Sequence, residues 1–286
     1  MSRPLPSVPE GWVDCGCGSR HWGRFGAAGL LVSDGSRVVL QHRATWSHQG
    51  GTWALPGGAI AEGETALAGA LREAQEEASI PASAVQPVAT SVLSHPDWSY
   101  TTVLARIAAK VEVAAADAES IEVIWTELDQ VEQFPLLPAF AQAWPTLRTM
   151  IGQRPAVLVD AANVVGSRPD GWWRDRAGAN ARLVSSLDAL ASTTVPASFL
   201  GLAGTHWWPS WHVVVEGAAR GVAGTDRVQV HPAPGSGDDT LVARALSLAH
   251  EGFTVCAVTA DRELISRLRQ AGAAIASPRK LLNLLS

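Results

Sequence analysis

Residues 58–80 read GAIAEGETALAGALREAQEEASI. Glu64, Glu73, Glu76 and Glu77 put four acids into fourteen residues, and the spacing of the last three projects them from one side of a helix predicted over about 65–78. Leu67, Ala70, Leu71, Ala74 and Ala78 form an apolar stripe along its flank. Like charges at i, i+3 and i+4 repel by a few tenths of a kcal/mol per pair, and only Arg72 is near enough to relieve them. Hard oxygen ligands gathered at that cost suit Mg²⁺ or Mn²⁺, ions that keep waters and bridge to phosphates. The preceding LPGG, residues 55–58, supplies Gly57 and Gly58, where a backbone can turn sharply and approach a ligand.

The 286 residues are 47% hydrophobic and 17% charged, which excludes a wholly disordered chain. A formal net charge of −5 argues against a general polyanion-coating protein. Apolar runs stop short of the roughly 18 residues a membrane span needs, and the N-terminal MSRPLPSVPEGW lacks a leader's apolar centre. Cytoplasmic placement and no membrane partner are the expectation. Cys15, Cys17 and Cys256 are an odd set, so a disulfide framework is not expected.

The length suits two cores. A helix predicted from Pro138 to about Gly152 ends at MIGQRP, and the strand-like AVLVD follows, which sets the boundary near 154. Residues 1–154 carry sixteen acids and ten bases, residues 155–286 eleven and twelve. Three regions result: an extension, 1–24, with its Cys-x-Cys, a domain at 25–154 and a domain at 155–286. In the first domain AAGLLV, RVVLQHRA, VATSVLSH, YTTVLARIA and IEVIWTEL read as strands around one strong helix, giving an α+β or α/β/α arrangement. In the second, AVLVD, ASFLGL, HVVVE, RVQVH, FTVCAVT and AAIAS read as strands separated by helices near 177–191, from Asp238 and from Asp261. Apolar strands alternating with helices imply a mostly parallel sheet covered on both faces.

Residues 58–80 resemble the Nudix box, Gly-x5-Glu-x7-Arg-Glu-U-x-Glu-Glu-x-Gly-U with U a bulky aliphatic. Gly58, Glu64, Arg72, Glu73, Glu76, Glu77 and Ile80 fall on its positions. Ala74 is a small residue at a U position, and Ser79 replaces the last glycine, at some local cost if that position needs positive φ. The resemblance implies an α/β/α sandwich with a mixed sheet and hydrolysis of a nucleoside diphosphate linked to another moiety. It implies that Glu73, Glu76 and Glu77 bind the metal, that Arg72 orients carboxylates and that Gly58 shapes the loop. Water attack at phosphorus would be assisted by a carboxylate not singled out among the three.

Trp46, His48, Trp53, His95, Trp98 and Tyr100 are candidates to stack on or hydrogen-bond a base, against the alternative of core and rim packing. DCGCGSRHWG puts Cys15, Cys17 and His21 together as three candidate zinc ligands, a weak signal because a structural site takes four and its cysteines are usually spaced C-x2–4-C.

In the second domain Asp160, Glu216 and Asp261 each follow an apolar strand, and the carboxyl edge of a parallel sheet is where such acids converge. GSGDD adds Asp238 and Asp239. Helix capping alone accounts for Asp238 or Asp261, but not for Asp160 or Glu216, where an unpaired carboxylate is costly to desolvate. VDAANVVG, VVVEG, GSGDDTLVARAL and VTADRELISRL together resemble the NYN group of PIN-like nucleases. That resemblance implies a PIN-like, Rossmannoid three-layer α/β/α fold in which Asp160, Glu216, Asp238 and Asp261 hold Mg²⁺ or Mn²⁺ for phosphodiester hydrolysis. Asn163 would assist, with Asp239 a lesser participant; a binding or regulatory module that does not cleave is the alternative. The loop SRPDGWWRDR sets Arg168, Arg174 and Arg176 around Trp172 and Trp173, a recipe for single-stranded RNA and equally for a packed lid. Trp207, Trp208 and Trp211 read the same two ways.

Overall fold

A computed structural model describes residues 11–47, 49–168 and 171–286; His48, named above as a base-binding candidate, lies outside them. The chain divides into two compact units, Met1–Gly152 and Gln153–Ser286.

The first described elements of the first unit are β1 (Trp12–Asp14) and β2 (Arg20–Trp22), which among the described residues pair only with each other, as a hairpin. The larger sheet is built from β3 (Ala27–Ser33), β4 (Arg37–Arg43), β5 (Trp53–Ala54), β6 (Gly57–Ala59), β7 (Val85–Ser94), β8 (Ser99–Ile107) and β9 (Ser120–Glu127). Every residue of β3 is buried. It runs parallel to β8 and antiparallel to β4 and β6, so the sheet is mixed. Helix α1 (Ala66–Ala78) packs on it through Ala70, Ala74 and Ala78, whose small side chains let its backbone lie close to Ala28, Leu30 and Val103. The small Ala74, a departure from the Nudix pattern, is therefore a packing residue. Helix α2 (Pro138–Met150) buries Phe140, Trp144, Leu147 and Met150 and closes the unit.

In the second unit β10 (Pro155–Asp160) is followed by α3 (Ala161–Gly166), α4 (Arg176–Ala191), β11 (Val195–Pro196), α5 (Ala197–Leu200), β12 (His206–Trp207), β13 (Ser210–Val215) and β14 (Val228–Pro232). Then come α6 (Gly237–His250), β15 (Thr254–Val258), α7 (Arg262–Gln270), β16 (Ala274–Ala276) and α8 (Pro278–Leu284). The sheet order is β14-β13-β10-β15-β16, parallel throughout. Leu241, Ala245, Leu248, Leu264 and Leu268 from α6 and α7 pack on Ala156, Leu158 and Ala257.

One strand reading is overturned. ASFLGL forms the single helical turn α5, because Pro196 supplies an extended entry and Gly201, at φ 72°, a left-handed exit. For Trp207 and Trp211 packing is the outcome: both are buried to within 1% of their surface in strands, not in a loop, and the Trp207 indole donates to the Ala203 carbonyl. Neither presents a face to a base.

Candidate functional site

In the first unit, strand β6 carries the two glycines past the side of α1 that bears the acids. The Gly57 amide donates to Glu77 Oε2 at 2.8 Å. A β-carbon at Gly58 would stand 2.7 Å from the Glu73 carboxyl, and one at Gly57 2.5 Å from the backbone of Ala28 and Gly29. Thr65 caps α1 by accepting from the Ala68 amide at 3.1 Å. Ser79 ends the helix at φ 58°, in the left-handed region that glycine occupies freely.

Arg72 ties the carboxylates together. It donates to both Glu64 oxygens at 3.1 and 3.0 Å, to Glu73 at 2.7 Å, to Glu76 at 3.1 Å and to the Ala59 carbonyl at 3.0 Å. The bidentate Glu64 contact holds that carboxyl below its ordinary pKa against the opposing effect of burial. Glu64 also accepts from the Ala61 amide at 2.9 Å, which pins the loop before the helix.

Glu73 and Glu77 are shifted the opposite way from Glu64. Burial raises Glu77 to about 7, the Gly57 hydrogen bond opposing it and the charge of Glu73 adding to it. Burial raises Glu73 as well, against the pull of Arg72. Glu76 is open to solvent. These are hard oxygen donors whose ionised forms are undercompensated, a donor set that fits a divalent cation.

Gln41 and Arg43, on β4, were not singled out from the sequence. Gln41 is fully buried and donates to Ser120 Oγ at 2.9 Å, and Ser120 donates to the Glu77 carbonyl at 3.2 Å. The charge of Arg43 favours ionised Glu77. In the β4 sequence RVVLQHR, Gln41 and Arg43 flank His42, and the spacing alone gives no sign of this.

The base-binding candidates scatter. Trp53 keeps 7% of its surface, stacked on His42 at 4.7 Å and tilted against Phe134. Trp46 is 69% exposed. Tyr100 packs its hydroxyl against Gly29. His95 and Trp98 group with His21 instead.

In the second unit Asp160 ends β10, Glu216 follows β13, Asp261 follows β15 and Asp238 lies in the first turn of α6, all at the carboxyl edge of the sheet. Asp160 accepts from the Asn163 amide at 3.0 Å and the Thr259 hydroxyl at 2.9 Å. Burial raises its pKa, and the charges of Asp238 and Glu216 raise it further. Asp238 is raised by burial and by Asp261, Glu216 and Asp239. The four acids thus share one electrostatic neighbourhood.

Glu216 also accepts from the Gly237 amide at 3.0 Å. Ser236, and not Asp238, caps α6, whereas Asp261 does cap α7. Asp239 is drawn to Arg267 at 2.6 Å. Asn163 Oδ1 accepts from the Ala260 amide at 2.9 Å, joining α3 to the end of β15. Trp172 lies under the Arg176 guanidinium, 5.5 Å from the ring centre, while Trp173 and Arg174 face solvent.

Among the described residues, only Cys15, Cys17, His21 and His95 form a group of three or more such side chains whose ligand atoms all lie within 4.8 Å of one another. Neither acidic cluster is drawn that close. No described helix is long and apolar enough to cross a membrane.

Around and beyond residues 58–80, the stretch 23–149 matches the NUDIX domain family; the chain belongs to it. It is 43% identical over 162 residues, 53% of this chain and 74% of the other, to the "Putative 8-oxo-dGTP diphosphatase 3" of Mycobacterium tuberculosis. It is 45% identical over 145 residues to a "Nucleoside triphosphate pyrophosphatase/Nudix hydrolase fusion protein" of Bifidobacterium longum, covering 48% of this chain and 30% of that one. A solved Nudix hydrolase from M. smegmatis, RenU, shares 44% identity over 49% of this chain and 93% of its own, with a TM-score of 0.45.

Proposed function

We propose that the first unit hydrolyses the phosphoanhydride of a nucleoside diphosphate derivative, with a nucleoside triphosphate carrying an oxidised base as the first substrate to try. The name of the Mycobacterium relative, an 8-oxo-dGTP diphosphatase, supports that choice. The observation that carries the reading is the Gly57 and Gly58 strand set against Glu77 and Glu73, with Arg72 bracing the helix. Glu73, Glu76 and Glu77 hold Mg²⁺ or Mn²⁺, which when bound neutralises phosphate charge and acidifies water. Glu77 is buried and anchored to the Gly57 amide, so it fixes position. Glu76 is more than half exposed, with one oxygen on Arg72, and is the carboxylate placed to take a proton from the attacking water. Arg72 bridges and orients Glu73 and Glu76 through its two Nη1 contacts.

The second unit is proposed as a PIN-like nuclease acting on single-stranded RNA. Asp160, Glu216, Asp238 and Asp261 serve as its metal ligands, and Asn163 and Asp160 shape the strand end. Trp173 and Arg174 offer a stacking face and a charge. The test uses the whole chain with Mn²⁺. Glu76→Gln or Glu77→Gln abolishes nucleotide hydrolysis, by about a hundredfold or more, and leaves RNA cleavage intact; Asp160→Asn does the reverse. RNA bound but uncut in every variant makes the second unit a binding module, and equal loss of both activities refutes independent sites.

A further inference from the structure

The β1–β2 hairpin has no core of its own. Trp12 and Trp22 are 41% and 39% exposed, and two short strands alone are marginal in water. Its tip is nevertheless sharply shaped: the Gly18 amide donates to the Cys15 carbonyl at 2.9 Å, and the Cys15 amide to the Ser19 carbonyl at 3.1 Å. This turn brings Cys15 and Cys17 onto the side of His21, whose Nε2 lies 3.3 Å from Cys17 Sγ.

The fourth side chain arrives from the turn between β7 and β8. His95 lies with its ring centre 4.4 Å from that of His21. Four contacts fix that turn against the hairpin. Asp97 accepts from the Gly16 amide at 2.8 Å, the Trp98 indole donates to the Trp22 and Gly23 carbonyls at 3.1 Å, and Trp98 stacks on His21 at 4.4 Å.

We propose that Cys15, Cys17, His21 and His95 form a closed, structural zinc site that staples the N-terminal hairpin to the β7–β8 turn. Zinc bonds of about 2.3 Å to sulfur and 2.0 Å to nitrogen give tetrahedral edges of roughly 3.3–3.8 Å. The 3.3 Å separation of Cys17 and His21 matches such an edge, and all four atoms lie within 4.8 Å. Two thiolates and two imidazoles select zinc over the hard ions that suit the glutamates. Four protein ligands leave no position for water, so the role is structural.

The test is the metal content of the untagged full chain in excess Mg²⁺, followed by exchange to Co²⁺. The expected result is one zinc per chain and the visible absorption of tetrahedral cobalt with thiolate charge transfer. Cys17→Ser and His95→Ala lower zinc occupancy by about tenfold or more. His95→Cys retains zinc and alters the cobalt spectrum, which separates loss of a ligand from loss of the fold, and Glu76→Gln leaves zinc unchanged. A chain without zinc, a Cys15–Cys17 disulfide in its place, or occupancy indifferent to Cys17 and His95 overturns the proposal.

Discussion

Ser79 holds the one non-glycine backbone conformation in α1 that an L-residue resists. At φ 58° and ψ 29° it ends the helix in left-handed space, which costs such a residue about 1–2 kcal/mol. Ser79→Gly should therefore stabilise the first unit by about 1 kcal/mol, raising its melting temperature by roughly 2–4 °C; calorimetry that shows no rise contradicts this. Glu77 lies at the other extreme, 3% exposed with its carboxyl disfavoured as an anion. An amide at this position can still accept from Gly57 without carrying the charge. Glu77→Gln should thus stabilise the metal-free protein at pH 8 by about 1–2 kcal/mol while removing hydrolysis, a trade that thermal melts in EDTA would register.

At the scale of elements, β6 and α1 form one device, and its two glycines serve different neighbours. A methyl at Gly57 meets the backbone of the central strand β3, which cannot give way, so Gly57→Ala should destabilise by about 2 kcal/mol. A methyl at Gly58 meets only the end of the Glu73 side chain, which can turn aside. Gly58→Ala should leave the melting temperature nearly unchanged and lower turnover by about tenfold to a hundredfold, through the displaced carboxylate. Denaturation and kinetics on the two variants check the contrast.

The same elements mark what a sequence discloses. Helix α1 was readable because apolar residues recur at its period and acids fill another side. The helices at 176–191, 237–250 and 262–270 were readable in the same way. The strand β6 was not, since Gly57 and Gly58 have no side chains to make a pattern. ASFLGL misled because five residues between a proline and a leucine suit a strand as well as a turn, and the arbiter is the φ of Gly201. Gln41 and Arg43, and the grouping of His95 with Cys15, Cys17 and His21 rather than with a base, were beyond reach for another reason: their meaning comes from β4 and from the β7–β8 turn being folded against α1 and the first hairpin, and no local period encodes such pairings.

For the whole molecule, each unit has its own chemistry of acid and base. His212, on β13, lies with Nδ1 3.2 Å from His231 Nε2. Burial, with the charges of Arg244 and His231, holds its pKa at about 4, and Glu251 opposes them. The unfolded chain, with an imidazole near 6.5, takes up the proton first as pH falls. Stability from this group is complete above about 6.5 and disappears between 6.5 and 4, at most about 3 kcal/mol. Amide exchange in β13 and β14, corrected for intrinsic rate, should quicken over that interval. Exchange that stays level, or an NMR titration of His212 near 6.5, would refute this.

The parallel register of the second unit also sets an order of events on the ribosome. β10 emerges first, yet its two neighbours pair with it at Ser210 and at Thr254, the latter roughly a hundred residues downstream. At about 5–20 residues per second, the apolar segment Ala156–Val159 waits several seconds before either flank is covered. A nascent chain stalled before β15 therefore displays a bare strand edge, the form most prone to capture by chaperones or by another copy of itself.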